Sequence, residues 1–483
     1  MSSTSALSRS IVLCLVFAIC MLYKILRFGS REKHLPRGPP TVPILGNAHL
    51  IPKQNLYRKI AEWSQYKNGA NYLSRAREKQ SEVALNNESF AMMHATLMYK
   101  AHRKIAMKLL SPARLDDSER AKVLDAETIA LMNDLLSTPE DFSAHVKRST
   151  ASMASIPVYG QRATSPDTFW ATINNALEPG SYFPVEQFPF LKFVPSRWNP
   201  GPGNAFACSH TMAHLWSHAR QLVEARRDIG DHRDCIMDKF LSGEVKNDVP
   251  MSDAVLNHFC GTLLEGATST TAQSVHTNLL FLGKYPEVQK RAREDLDRAC
   301  GIRIPAWSDF DQLPIRPTAP VGVPHSATKD DWYKGMLIPA GSTVLIPSYA
   351  LNHTSAHYSG PSTYNPSHYL HLPNKLATHF AASPDYSNRD HYTYGAGRRI
   401  CVGIHLAERT QWMIMARVLW GFIISPAVDG SGNEIELDID AYTTGLSYEP
   451  LPFKLMIVPR SEEHAELIWK EFKDVDAYLR EWE

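Results

Sequence analysis

The chain opens on an unbroken apolar run, residues 11–23 (IVLCLVFAICMLY), which Lys24 interrupts before Ile25 and Leu26 resume it. The run alone is shorter than the roughly 20 apolar residues that a bilayer span prefers. Counted over residues 6–26 it is long enough, provided Arg9 and Lys24 extend their charged heads to the two interfaces. No small-x-small cleavage site follows, which favours an anchor over a removable signal peptide. Lys24, Arg27, Arg31, Lys33 and Arg37 weight the positive charge after the run, so the body of the chain is expected in the cytosol. The next stretch, residues 35–47 (LPRGPPTVPILGN), holds four prolines and two glycines and reads as a stiff connector.

Beyond the connector the periodicity is mostly helical. Residues 103–110 (RKIAMKLL) and 121–136 are amphipathic, and another helix is expected over 211–227. Ser252 and Asp253 are caps for a long helix running to about Lys284, which Tyr285-Pro286 ends. A charged surface helix follows over 287–299. Residues 160–203, rich in proline, glycine and aromatics, read as an irregular excursion. Short β patterns appear at 336–338 and 343–346, residues 404–424 form a long apolar helix, and the remainder reads as strand and turn. The expected fold class is mainly α with a minor β portion, without the alternation of a doubly wound sheet.

Composition narrows the function classes. The chain has 483 residues, 44% apolar and 21% charged, enough for a sizeable core and too apolar for general disorder. At about 150 residues per domain the length suggests two or three domains, although large single folds exist. A formal charge of +1 without long basic blocks argues against nucleic acid as a partner. Seven scattered cysteines, an odd number, do not form a disulfide framework, and no period of 20–50 residues marks a solenoid.

The sharpest local chemistry is in residues 394–403 (YGAGRRICVG), just ahead of the apolar helix. Gly397 and its neighbour Gly395 carry no Cβ, so the backbone can approach a flat ligand closely. Cys401 stands at a helix start, where the positive dipole end favours a thiolate. Arg399 offers a fork of donors to a carboxylate. Together these describe a ligand for haem iron; the bland alternative is a buried structural cysteine. A zinc site using Cys401 and His405 lacks a second ligand pair. In the long helix, Glu265-Gly266-Ala267-Thr268-Ser269-Thr270-Thr271 sets a glycine beside hydroxyl residues. Such a sequence either kinks to open a groove and place a hydroxyl, or is a bent core helix with back-bonded hydroxyls.

These residues resemble the cytochrome P450 superfamily of haem-thiolate monooxygenases, in its membrane-bound fungal form. Tyr394, Gly397, Arg399, Cys401 and Gly403 fall on the family's haem loop, with tyrosine for the usual phenylalanine. The resemblance implies haem b with Cys401 as axial ligand, and Gly397, Gly403 and Arg399 as cofactor-binding residues. It implies that Thr270 is the oxygen-activating threonine, with Ser269 in the position of the usual acid, where water or Glu265 would stand in for the carboxylate. A register one residue earlier would make Ser269 the hydroxyl. Tyr99 and Arg103 resemble the family's tryptophan, three residues, arginine motif, and His325 falls where a second basic residue meets a haem propionate. The implied activity is insertion of one oxygen atom from dioxygen into an apolar organic small molecule, in fungal secondary-metabolite biosynthesis. The implied partners are an NADPH-dependent flavoprotein reductase and the membrane of the endoplasmic reticulum. The implied layout is an anchor over residues 1–34 and a single haem-binding fold over 35–483.

Two family segments have no counterpart. The Glu-x-x-Arg helix is missing where Asp311-Gln312-Leu313-Pro314 runs through Ile315 into Arg316-Pro317, and His368 stands where the network's third arginine belongs. A second gap lies between Lys67 and Tyr72. These gaps keep other readings open: a shortened copy without stable haem, a haem-thiolate isomerase or dehydratase, or a noncatalytic membrane-associated binding protein.

Overall fold

The computed structural model describes residues 2–27, 34–35, 41–42, 50, 74–75, 88–172, 201–312, 325–333, 335–354, 360–361, 363–369, 375–381, 389, 391–395, 397–443 and 448–483. The N-terminal run forms helix α1 (Ser2–Arg27). Val12, Leu13, Phe17, Ile19 and Leu22 on it are all exposed. Even so, among the described residues no helix is long and apolar enough to cross a membrane. The apolar stretch between Ser10 and Lys24 covers about 20 Å at 1.5 Å per residue, against a hydrocarbon core of about 30 Å. The membrane-crossing span expected over residues 6–26 is therefore not supported. Most of the expected connector, the gap between Lys67 and Tyr72, and residues 313–324 around the missing helix lie outside the described residues.

The body is built from helices α2 (Leu97–Leu109), α3 (Ser118–Ser137), α4 (Phe142–Tyr159), α5 (Gly201–Asp228), α6 (Asp253–Lys284), α7 (Pro286–Cys300), α8 (Ile404–Gly421) and α9 (Glu462–Arg480). Caps anticipated from sequence act as such: Ser252 Oγ accepts the Val255 N–H at the head of α6, and Pro286 opens α7. Helix α2 begins earlier than expected, because Thr96 caps it by accepting the Tyr99 N–H. Helix α5 likewise starts inside the supposed excursion, of which residues 173–200 are not described.

Two helices escaped the pattern. In α4, serines, threonines and alanines are buried on every side, so no polar stripe marks a helical period. Helix α9 stands where strand and turn were expected; Ser461 Oγ accepts the His464 N–H at its start, and Ile468 and Leu479 are buried.

The strands are short. Strands β1 (Ser74–Arg75), β2 (His325–Ser326) and β5 (Thr343–Val344) form an antiparallel sheet with β2 in the middle. Strands β3 (Asp331–Tyr333) and β4 (Met336–Ile338) make a hairpin. Strands β6 (Phe422–Pro426) and β7 (Leu455–Pro459) pair antiparallel, with Ile424 opposite Ile457. The apolar run of 404–424 thus divides into helix and strand at Phe422.

Helix α6 is the axis of the core. Its C-terminal half, with Leu279, Leu280 and Leu282, packs in one cluster with Met132, Trp412, Trp420 and Phe422. Its N-terminal half, with Phe259, Leu263 and Leu264, packs in another with Trp216, Tyr159 and Met237. Each such side chain contributes about 1.5–3 kcal/mol on burial. Gly261 lets α5 close on α6: a Cβ there would stand 2.2 Å from Trp216 Cδ2. Helix α6 also packs on α8, which carries the segment following Cys401.

Candidate active site

Gly395 and Gly397 turn the loop with φ of 76° and 64°, left-handed values that a side chain resists. The Gly395 N–H donates to Tyr392 O at 2.9 Å, Ile400 N–H to Gly397 O at 3.1 Å, and Cys401 N–H to Tyr394 O at 2.9 Å. Arg389 braces the loop, donating to Gly395 O at 3.0 Å and to Ala381 O at 2.7 Å. The closed loop presents Cys401 three residues ahead of α8, whose body is almost wholly buried.

Helix α2 meets this loop. Arg103 Nη2 donates to Ile400 O at 2.8 Å and its Nη1 donates to the Tyr99 hydroxyl at 3.4 Å. The Arg399 guanidinium lies 3.5 Å from the Tyr99 ring centroid, and its Nη2 donates to Met93 O at 2.7 Å. Tyr99 is thus the surface on which the loop's arginine rests, a role the sequence hinted at only by its motif position. The structure brings Arg103, Arg399 and Cys401 together. His325 is buried in the middle strand β2, opposite Arg75 on one side and Val344 on the other.

Burial and the Arg103 charge set the electrostatics of the loop. Burial pushes the Cys401 thiol above its ordinary value, while the Gly403 N–H and the Arg103 charge pull it down. The residue nonetheless exposes surface. A metal bound at Cys401 would hold it as the thiolate expected from sequence. Burial holds Arg399 below its ordinary value, and the charge of Arg103 adds to the depression. No carboxylate among the described residues meets Arg103.

Across the interior, α6 runs unbroken through its glycine and hydroxyl residues. Thr268 Oγ1 donates to Leu264 O at 2.7 Å, Ser269 Oγ to Glu265 O at 3.3 Å, and Thr270 Oγ1 to Gly266 O at 2.7 Å. The bonds are local, and they answer the helix-breaking tendency of these residues without a break. Their exposures differ. Thr268 is buried and Ser269 half-buried, whereas Thr270 and Gly266, one turn apart, are exposed on a helix whose flanks are buried. A Cβ on Gly266 would meet nothing within 4 Å, and the same holds for Gly395 and Gly397. One turn beyond Thr270, Ser274 Oγ donates to Gln411 Oε1 on α8 at 2.6 Å, a link no sequence motif announced.

The residues fit a haem. Arg103, which meets no carboxylate among the described residues, and Arg399 offer guanidinium donors suited to propionates, Cys401 exposes its surface, and loop and helix leave room where Cβ atoms are absent. Of the absent network, His368 lies in the turn Pro366–Tyr369, and Arg291 on α7 donates to the neighbouring Ser367 Oγ at 2.9 Å.

Comparison with known proteins agrees with this geometry. A family model described as Cytochrome P450 matches residues 153–455. The chain is 31% identical to a cytochrome P450 monooxygenase, macC, of Penicillium terrestre over 519 aligned positions, covering 96% of each protein. It is 31% identical to the monooxygenase yanC of Aspergillus niger, covering 92% of this chain and 93% of the relative. It is 29% identical to atE of Aspergillus terreus, covering 100% and 98%. The 519 positions outnumber the 483 residues of the chain, so macC carries internal residues with no counterpart here. Among solved structures, a zebrafish cytochrome P450 determined with abiraterone matches with a TM-score of 0.62 over 83% of this chain and 92% of that one. At 19% identity that likeness is one of fold.

Proposed function

The chain belongs to the cytochrome P450 family of haem-thiolate monooxygenases, and we propose that it oxidises an apolar organic molecule in fungal secondary metabolism. The observation that carries this reading is the convergence of Arg103, Arg399 and the Tyr394–Cys401 loop closure on one thiol. When bound, haem supplies the activation of dioxygen from which one atom enters the substrate.

The chain's own residues would divide the remaining work. Cys401 would hold the iron, and Arg103 and Arg399 the propionates, with His325 as a further basic residue on the β2 side. Gly397 and Gly403 keep side chains out of the ligand's way. Thr270 holds a proton on Oγ1, now directed at Gly266 O. Rotation about χ1 frees that proton for the space beside Gly266. Ser269, half-buried and bonded to Glu265 O, supplies no carboxylate, so water completes the path.

Electrons would come from a flavoprotein reductase drawing on NADPH. The exposed apolar helix α1, followed by its basic flank, supports attachment to the endoplasmic reticulum membrane with the body, residues 35–483, in the cytosol. The test is reconstitution with reductase, NADPH and isotopically heavy dioxygen. Label in the product at one oxygen atom supports the reading, and turnover that persists without reductase points to a haem-thiolate isomerase or dehydratase.

One observation favours a second reading. The relatives' extra internal residues fit a shortened copy that holds haem weakly. Sequencing the transcript across Lys67–Tyr72 and Pro314–Arg316 separates a skipped segment from a chain that never had one.

A further inference from the structure

The inside wall of α6 carries one group that oxygen activation does not use. Glu265 directly precedes Gly266, where open space borders the helix. It lies four residues after Gly261, the position at which α5 closes on α6 through Trp216. Residues four apart share a helix face, so Glu265 faces the seam between α5 and α6. Cys208 on α5 feels its charge, which raises the thiol further after burial has raised it. Ala267 and Cys208 both pack against the apolar cluster around Trp216 and Phe259.

In this setting the Glu265 carboxyl has no hydrogen-bond or ion-pair partner among the described residues. The nearest comparison on the same seam is Asp253, which is paired with Arg220 at 2.7 Å. An unpartnered carboxyl in an apolar wall is costly unless a ligand completes it. We propose that Glu265 is a specificity-determining residue of the substrate site, accepting a hydrogen bond from a hydroxyl group on an otherwise apolar substrate. This rests on the monooxygenase reading and narrows it from an apolar molecule to one bearing a hydroxyl.

A hydroxyl suits the site better than a cation. Burial pushes the Glu265 carboxyl up to about 7, so neutral and ionised forms coexist near neutrality. A hydroxyl can pair with either form, whereas an ammonium pairs only with the ionised one. The group also lies about 7.5 Å along the helix axis from Thr270, at 1.5 Å per residue.

The experiment uses the full haem-loaded chain and two probes of matched shape, 4-tert-butylphenol and 4-tert-butyltoluene. Binding is read by the substrate-induced difference spectrum and by calorimetry on the same preparation. The wild type should bind the phenol about tenfold or more tightly than the toluene, as a hydrogen bond to a charged group allows. Glu265→Leu should erase that preference by weakening the phenol alone, and Glu265→Gln, which keeps an acceptor, should retain most of it. Equal binding of the two probes by the wild type overturns the proposal, as does no binding of either. Unchanged probe binding in Glu265→Leu with more hydrogen peroxide released also overturns it, in favour of a proton-transfer role. Failure of the monooxygenase reading is seen separately, as absence of a thiolate-ligated haem spectrum, while calorimetry still reports the phenol preference.

Discussion

Ser274 Oγ donates to Gln411 Oε1 at 2.6 Å, joining the helix that carries Thr270 to the helix that follows Cys401. Both side chains are buried, so the bond is made without competition from water. Because Ser274 lies one turn beyond Thr270, the bond fixes the two walls of the site against each other. Gln411→Leu leaves the serine hydroxyl without its acceptor and should cost about 1–3 kcal/mol. Denaturant unfolding measures it. In a double-mutant cycle with Ser274→Ala, the combined loss should fall short of the sum of the single losses by about 0.5 kcal/mol or more.

Glu127 is fully buried between two arginines. Its Oε2 accepts from Arg148 Nη1 at 2.9 Å and its Oε1 from Arg162 Nε at 2.6 Å. Arg162 also reaches Glu483 at 3.0 Å, which draws the chain's last residues onto α3 and α4. Removing one partner strands buried charge, so Glu127→Ala should cost about 3–5 kcal/mol. Equilibrium unfolding should show this as a lower midpoint.

Much of the fold was legible because its helices announce themselves by caps and stripes. Ser252 and Pro286 fixed the ends of α6 and α7, and the strand 336–338 stands where its pattern put it. What was not legible follows from burial. Helix α4 has no exposed face to read, and Pro157 sits inside it. The seam of α5 and α6 depends on Gly261 meeting Trp216, residues far apart in sequence. The Cys401 loop could be read because its two glycines and its cysteine are local. The Ser274–Gln411 bond could not, since nothing in either segment names the other.

Acid should weaken the protein through Glu449. Burial opposes its ionisation, but His276 at 3.2 Å and Lys147 at 2.8 Å prevail and bring it from 4.5 to about 2. A carboxyl depressed on folding contributes stability above its unfolded value and loses it as pH falls through the folded one. Stability should therefore drop between about pH 4.5 and 2. Thermal melts of Glu449→Gln should be lower at neutral pH and flatter across that window.

Arg103 is predicted to matter for cofactor retention more than for folding. It lies on α2 with its guanidinium on Ile400 O and no carboxylate partner among the described residues. Losing a charge-assisted bond of about 1.5–3 kcal/mol should weaken haem retention roughly ten- to a hundredfold in Arg103→Ala. Haem stoichiometry after dilution measures this, and far-ultraviolet circular dichroism should stay unchanged.

Cys401 is predicted to ligate haem iron in this chain. The most direct measurement is the absorption spectrum of the purified protein, reduced and exposed to carbon monoxide, beside that of Cys401→Ala. Ligation by Cys401 gives a thiolate-ligated Soret band in the wild type that disappears in the variant. A wild type that takes up no haem, or a band that survives loss of Cys401, would contradict it.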